Sequence, residues 1–107
     1  MYSSELGKDV RTTTGREFKK GLPVCVEVPI KSPLNAVVST PSGKPLFKIK
    51  SRLLYQVFPG EFIDPGTVDM EEALNRGLVP SLLGEDVEFD GFDDAGFPSL
   101  ALALGLC

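Results

Sequence analysis

The chain contains no histidine and no tryptophan. Without histidine it lacks the side chain most often used as a general base near neutral pH and the commonest metal ligand. Only two cysteines are present, Cys25 and Cys107. Cys25 falls inside a β-type pattern, with no histidine to activate it as a nucleophile. Two cysteines leave a disulfide open but do not argue for one, and the expectation is two free thiols in a reducing compartment. A single terminal cysteine is not a prenylation box, which requires three residues after the cysteine.

Nucleotide and acyl-transfer motifs are also missing. Ser42-Gly43-Lys44 lacks the preceding glycine spacing and the following Ser or Thr of a phosphate loop. No G-x-S-x-G elbow occurs. No apolar run reaches the ~18 residues of a membrane span. Met1 to Val10 is polar and carries both charge signs, unlike a secretory leader. These absences lead to an expectation of a non-enzymatic protein with no cofactor and no membrane contact, placed in the cytoplasm, or in a virion if virus-encoded.

What is present is a strong division of charge. Residues 1–52 hold ten of the eleven basic residues and four of the fifteen acidic ones, a net of +6. Residues 53–107 hold Arg76 as their one basic residue and eleven acids, a net of −10. Such asymmetry points to charged partners or to the association of opposite patches, unless the halves neutralise each other within one fold.

The hydrophobic pattern is β-rich. Val24, Val26, Val28 and Ile30 alternate with Cys25, Glu27, Pro29 and Lys31, which predicts a half-buried strand over 23–31. Pro41-Ser42-Gly43 predicts the turn of a hairpin over 35–50. The run 45–58 places Phe47, Ile49, Leu53, Tyr55 and Val57 on one parity. Lys48, Lys50, Arg52, Leu54 and Gln56 take the other, with a bend expected at Ser51. Val10 to Thr14 and Arg16 to Lys19 form a possible hairpin about Thr14-Gly15. Thr67 or Asp69 predicts the cap of a short helix near 68–76, stopped by Gly77. Ser99 to Cys107 fits a final helix capped by Ser99 or, by its alternate leucines, a strand.

The fold expected is mainly β (β-rich α+β): a small twisted sheet or partly open barrel of four to six strands, one short helix and an acidic C-terminal tail. Residues 1–22 read as a basic N-terminal arm or hairpin, 23–83 as the β-rich domain, and 84–107 as an acidic-aromatic tail with an apolar end. At 107 residues there is room for one domain.

Two surfaces stand out as candidate sites. Lys44, Lys48, Lys50 and Arg52, with Arg16, Lys19 and Lys20 of the first segment, suit nucleic acid or an acidic partner. The competing reading is a solvated strand whose lysines block edge-to-edge pairing. Phe89, Phe92 and Phe97, interleaved with Asp90, Asp93 and Asp94, suit a partner-binding tail, or else wrap onto the domain's own core. The same acidic segment is also expected to lie on the basic surface of Lys48, Lys50 and Arg52, in its own chain or a neighbour. Asp86, Glu88, Asp90 and Gly91 match the opening of a calcium loop. Phe97 stands at the twelfth position, where that loop needs a bidentate Glu, so a solvated or partner-facing segment is the favoured reading.

Asp69 to Pro80, with Arg76-Gly77-Leu78-Val79-Pro80, faintly resembles the central part of internal scaffolding proteins of small single-stranded-DNA phages. The basic, β-rich first half departs from those helical proteins, and no family is assigned from it. The function expected is non-catalytic binding or assembly through protein–protein interaction or self-assembly, in the style of a small virus-encoded accessory or structural protein. The alternative is a single-stranded nucleic-acid-binding protein of small-barrel type with an acidic partner-binding tail.

Overall fold

Alternation in the valine strand organises the molecule, as its pattern predicts. The computed structural model describes residues 2–106. In chain order its strands are β1 (Tyr2–Glu5), β2 (Val10–Arg11), β3 (Glu17–Phe18), β4 (Pro23–Glu27), β5 (Asn35–Ser39), β6 (Pro45–Lys50), β7 (Val79–Pro80) and β8 (Asp86–Val87). Its helices are α1 (Leu54–Val57), α2 (Met70–Arg76) and α3 (Leu100–Ala103). The main sheet is antiparallel in the order β1-β4-β5-β6. It stays open, with β1 and β6 as edges, so the sheet rather than the barrel of the two expected forms is present.

Register fixes the two faces, because side chains alternate with a period of two. Tyr2, Val26, Val38 and Phe47 lie directly across from one another on the core face, flanked by Val24 and by Ala36 with Ile49. Val24, Val26, Ala36 and Val38 are buried, and Val28 continues the row just past the strand. The opposite face carries Ser3, Cys25 and Ser39 in one row, Glu27, Val37 and Lys48 in the next, then Asn35 and Lys50. Cys25 is buried there as a free thiol, with its Sγ 3.7 Å from Ser3 Oγ. The expectation for Cys107 lies outside the described residues.

The predicted strand over 23–31 is shorter than its pattern. It ends at Glu27, and a turn closes with Ser32 N–H donating to Pro29 O at 3.0 Å. Ile30 therefore leaves the core row and is 76% exposed. Alternation continues through the sequence, but Pro29 supplies no N–H to extend the ladder.

The run 45–58 also changes period. A bend does occur at Ser51, whose buried hydroxyl donates to Pro33 O at 2.6 Å. From there the chain is helical, a 3-10 turn over Ser51–Leu53 followed by α1. Leu54, Val57 and Phe58 are buried at spacings of three and four, so Leu54 belongs to the core rather than to the basic parity.

Both predicted ends of α2 are in place. The Asp69 carboxylate accepts from Glu72 N–H at 3.1 Å, and Glu71 and Glu72 occupy the first turn. Gly77 takes φ +76°, the left-handed conformation in which its N–H reaches the carbonyls of Ala73 and Leu74. Ser99 caps α3 by accepting from Leu102 N–H at 3.2 Å, so Leu100–Ala103 is helix rather than strand.

The segment after 84 is built into the fold rather than laid over it as a tail. β7 pairs with β8, and single bridges join Ser81 to Ser99 and Phe92 to Pro98. Phe97, Leu100, Ala101 and Ala103 belong to the one core formed with the sheet. The Phe97 ring meets Tyr2 and Phe62 edge-on at 5.4 and 5.1 Å. The first segment is likewise incorporated: Tyr2–Glu5 is a strand of the main sheet, and the hairpin expected after Val10 is β2–β3.

Candidate functional site

The hairpin β2–β3 stands beside the edge strand β6, and the two enclose an open groove. Val10, Arg11, Thr12, Thr13, Thr14 and Arg16 form one wall, and Leu46, Phe47, Lys48 and Ile49 the other. The groove holds about 520 Å³ and has no acidic residue in its lining. The Thr12–Arg16 loop is tightly closed. Thr12 N–H donates to Arg16 O at 2.9 Å, and Arg16 N–H donates to Thr12 Oγ1 at 3.1 Å. Gly15, at φ +88°, supplies the backbone turn that this closure needs.

That closure aims Arg16 across the groove. Its guanidinium lies 5.1 Å from the centroid of Phe18, and its Nη1 donates to Leu46 O at 3.2 Å. Phe18 in turn packs on Phe47, ring centroids 5.5 Å apart. Two half-buried phenylalanines thus form the link between hairpin and sheet, with the Arg16 guanidinium over one of them.

The β6 wall presents unpaired backbone. In the β5–β6 register Ala36 faces Ile49 and Val38 faces Phe47, and Ser51 N–H donates to Leu34 O at 3.0 Å in the same register. Bonding therefore alternates so that Phe47 and Ile49 exchange bonds with β5, while the N–H and C=O of Lys48 point outward. The bulge between Val38 and Ser39 inserts Leu46 as an unmatched residue, and its outward carbonyl is the one Arg16 takes. An edge strand with open backbone groups, lined by cations, is a template for another strand.

The other predicted basic residues separate into different places. Lys48 and Lys50 are exposed on the outer face of the sheet, as their parity predicts. Arg52 leaves that face with the 3-10 turn. Lys44 lies in the exposed β5–β6 turn. Lys19 pairs with Asp9 and Glu17 at 4.0 and 3.9 Å, all exposed, and the Lys20 N–H donates to Asp9 at 2.8 Å. Arg16 and Lys48 are therefore the two predicted cations that the fold brings to one groove.

Arg11, Phe18 and Phe47 were missing from the candidate site. The predicted hairpin put Arg11 and Phe18 within reach of a sheet edge, but no sequence signal says which edge. Phe47 has core parity, and only its place on an edge strand leaves it half exposed.

The acidic-aromatic candidates divide as well. Phe97 is fully buried, and Asp93 is buried with its carboxylate turned inward. Asp93 Oδ2 accepts from Ser81 Oγ at 2.7 Å, while Oδ1 accepts from Phe97 N–H at 2.9 Å and Ala95 N–H at 3.0 Å. Both side chains are engaged within the fold. Phe89 and Phe92 are half-buried, and Asp90 and Asp94 are exposed. Asp86, Glu88 and Asp90 do not form a calcium-type loop: Asp86 sits in β8, and a tight turn follows in which Gly91 N–H donates to Glu88 O at 2.9 Å. Among the described residues no three His, Cys, Asp or Glu side chains are grouped to hold a metal.

Nor does the acidic segment dock on Lys48, Lys50 and Arg52 of its own chain. Among the described residues the only ion pairs are those of Lys19. Phe97 carries the segment to Tyr2 on β1, at the sheet edge opposite β6. Burial of the phenylalanine decides the location, because exposed ion pairs are too weak to compete with it. Among the described residues no helix is long and apolar enough to cross a membrane. No protein-family model, curated protein or solved structure matches this chain.

Proposed function

We propose that this is a non-catalytic binding protein whose β6 groove takes an acidic, extended segment of a protein partner as an added strand. One observation supports the reading above the others: the outward backbone of β6 and the cations Arg11, Arg16 and Lys48 line the same groove. In strand addition the main chain supplies the hydrogen bonds, and side chains at alternate positions supply specificity. Arg16 now occupies the Leu46 carbonyl, and an incoming backbone N–H replaces it there. The released guanidinium then pairs with a partner carboxylate, a stronger, charge-assisted contact.

Single-stranded nucleic acid is the rival occupant, since Phe47 and cations do share this groove. It is disfavoured because Phe18 and Phe47 pack on each other and Arg16 lies over Phe18. Those faces are already covered, whereas base stacking needs them open.

The test is fluorescence anisotropy with a labelled peptide of alternating Glu and Val against oligothymidylate of matched charge. The peptide is expected to bind, with an affinity that falls as salt rises. Arg16→Glu is expected to weaken it at least tenfold, as is proline at alternate peptide positions. Tighter binding of the oligonucleotide, still sensitive to Arg16→Glu, assigns the groove to nucleic acid instead. Failure of both probes to bind overturns the groove as a site.

A further inference from the structure

A second surface, built from the acidic half of the chain, has the opposite character. Met70, Leu74, Phe89, Ala101 and Leu106 line an apolar pocket of about 410 Å³, within the range of ligand pockets. Leu74 and Leu106 are 63% and 65% exposed, two of the few large apolar side chains left open to solvent. Met70 and Leu74 are four apart on α2, so they stack on one helix face.

The sequence around this pocket is acidic. Glu71 and Glu72 follow Met70, and Glu88 and Asp90 flank Phe89; all four are exposed. Among the described residues none of them is in an ion pair. An apolar floor whose lining residues are flanked in the chain by exposed carboxylates is complementary to one kind of partner segment. That segment buries aliphatic side chains and places Lys or Arg around them.

We infer that the Met70–Leu74–Phe89–Leu106 pocket docks a basic amphipathic helix of a protein partner. Its apolar side chains at i, i+3 and i+4 enter the pocket, and its flanking cations meet Glu71, Glu88 and Asp90. This is the helix-in-groove mode of recognition. The surface stands apart from the β6 groove and shares no lining residue with it. Together the two make the protein an adaptor, with an acidic strand taken on one side and a basic helix on the other.

The probe is a labelled fourteen-residue peptide with Leu at helical spacing and Lys elsewhere, titrated with the full chain. A second peptide carries Glu in place of each Lys. Saturable binding of the Lys peptide is expected, with at least a tenfold loss on Leu74→Asp and little binding of the Glu peptide. Leu74→Asp adds negative charge to an exposed position, so non-specific attraction of the basic peptide would rise rather than fall. Glu71→Lys with Glu88→Lys is expected to weaken binding with Leu74 intact, and Arg16→Glu to leave it unchanged. Equal binding of the two peptides, or an unaltered affinity in Leu74→Asp, overturns the inference. So does a concentration-dependent dimer of the protein alone that Leu74→Asp abolishes, which assigns the pocket to a second copy.

Discussion

Asp93 and Asp94 are chemically identical neighbours with opposite roles, and replacing each by alanine separates them. Asp93 is 8% exposed and holds three donors: Ser81 Oγ, Ala95 N–H and Phe97 N–H. Asp94 is exposed. Asp93→Ala leaves the Ser81 hydroxyl and the Phe97 N–H unsatisfied in buried surroundings, at about 1–3 kcal/mol each. Ala95 is exposed, so its N–H turns to water at little cost. The expected loss is therefore roughly 2–6 kcal/mol, a large share of the ~5–15 kcal/mol that holds a domain together. Asp94→Ala is expected to stay within about 0.5 kcal/mol. Urea unfolding followed by far-UV circular dichroism reads both. With a slope of about 1–1.5 kcal/mol per molar urea, a 3 kcal/mol loss moves the midpoint by about 2–3 M. Near-equal midpoints for the two variants would refute the placement of Asp93. The burial of this segment would then need another anchor.

The valine strand offers a parallel contrast. Val26→Ala is expected to cost about 1–3 kcal/mol in urea unfolding, whereas Ile30→Ala costs little because Ile30 is outside the core; a large Ile30 effect would mean β4 runs on to residue 30. Burial raises the Tyr2 phenol above its ordinary pKa, and the nearby Glu61 carboxylate, both by charge and by hydrogen bonding, raises it further. A raised folded pKa means stability that is complete below the unfolded value of about 10 and is lost as pH rises through the folded value. The wild-type midpoint is therefore expected to fall above about pH 10 more steeply than that of Tyr2→Phe, and identical pH profiles would count against the burial of the phenol.

Removing the acidic segment does not test whether it masks a basic face. Phe97, Leu100, Ala101 and Ala103 are core residues, so deleting 85–107 opens the core itself. The substitutions at Arg16 and Leu74 interrogate the two surfaces with the fold intact, since both side chains are exposed.

Local chemistry alone determined the valine strand, the hairpin turn at Pro41-Ser42-Gly43, the bend at Ser51 and the Asp69 and Gly77 ends of α2. Each depends on residues within a few positions of one another. Alternation sets a face, a proline denies an N–H, a carboxylate caps a first turn, and a glycine reaches positive φ at no steric cost. The split of charge into a basic and an acidic half was equally legible, because it needs only counting. What tertiary structure decided is where those charges go. Asp93 and Asp94 read alike until Ser81, twelve residues earlier in the chain, is brought against one of them. Phe89, Phe92 and Phe97 formed one aromatic series until the ring of Phe97 was set between Tyr2 and Phe62. Arg16 and Lys48 became parts of one groove only when the hairpin packed beside β6 rather than β1. Such choices depend on contacts between residues far apart in sequence, where the gain from excluding apolar surface from water outweighs the pull of exposed charges.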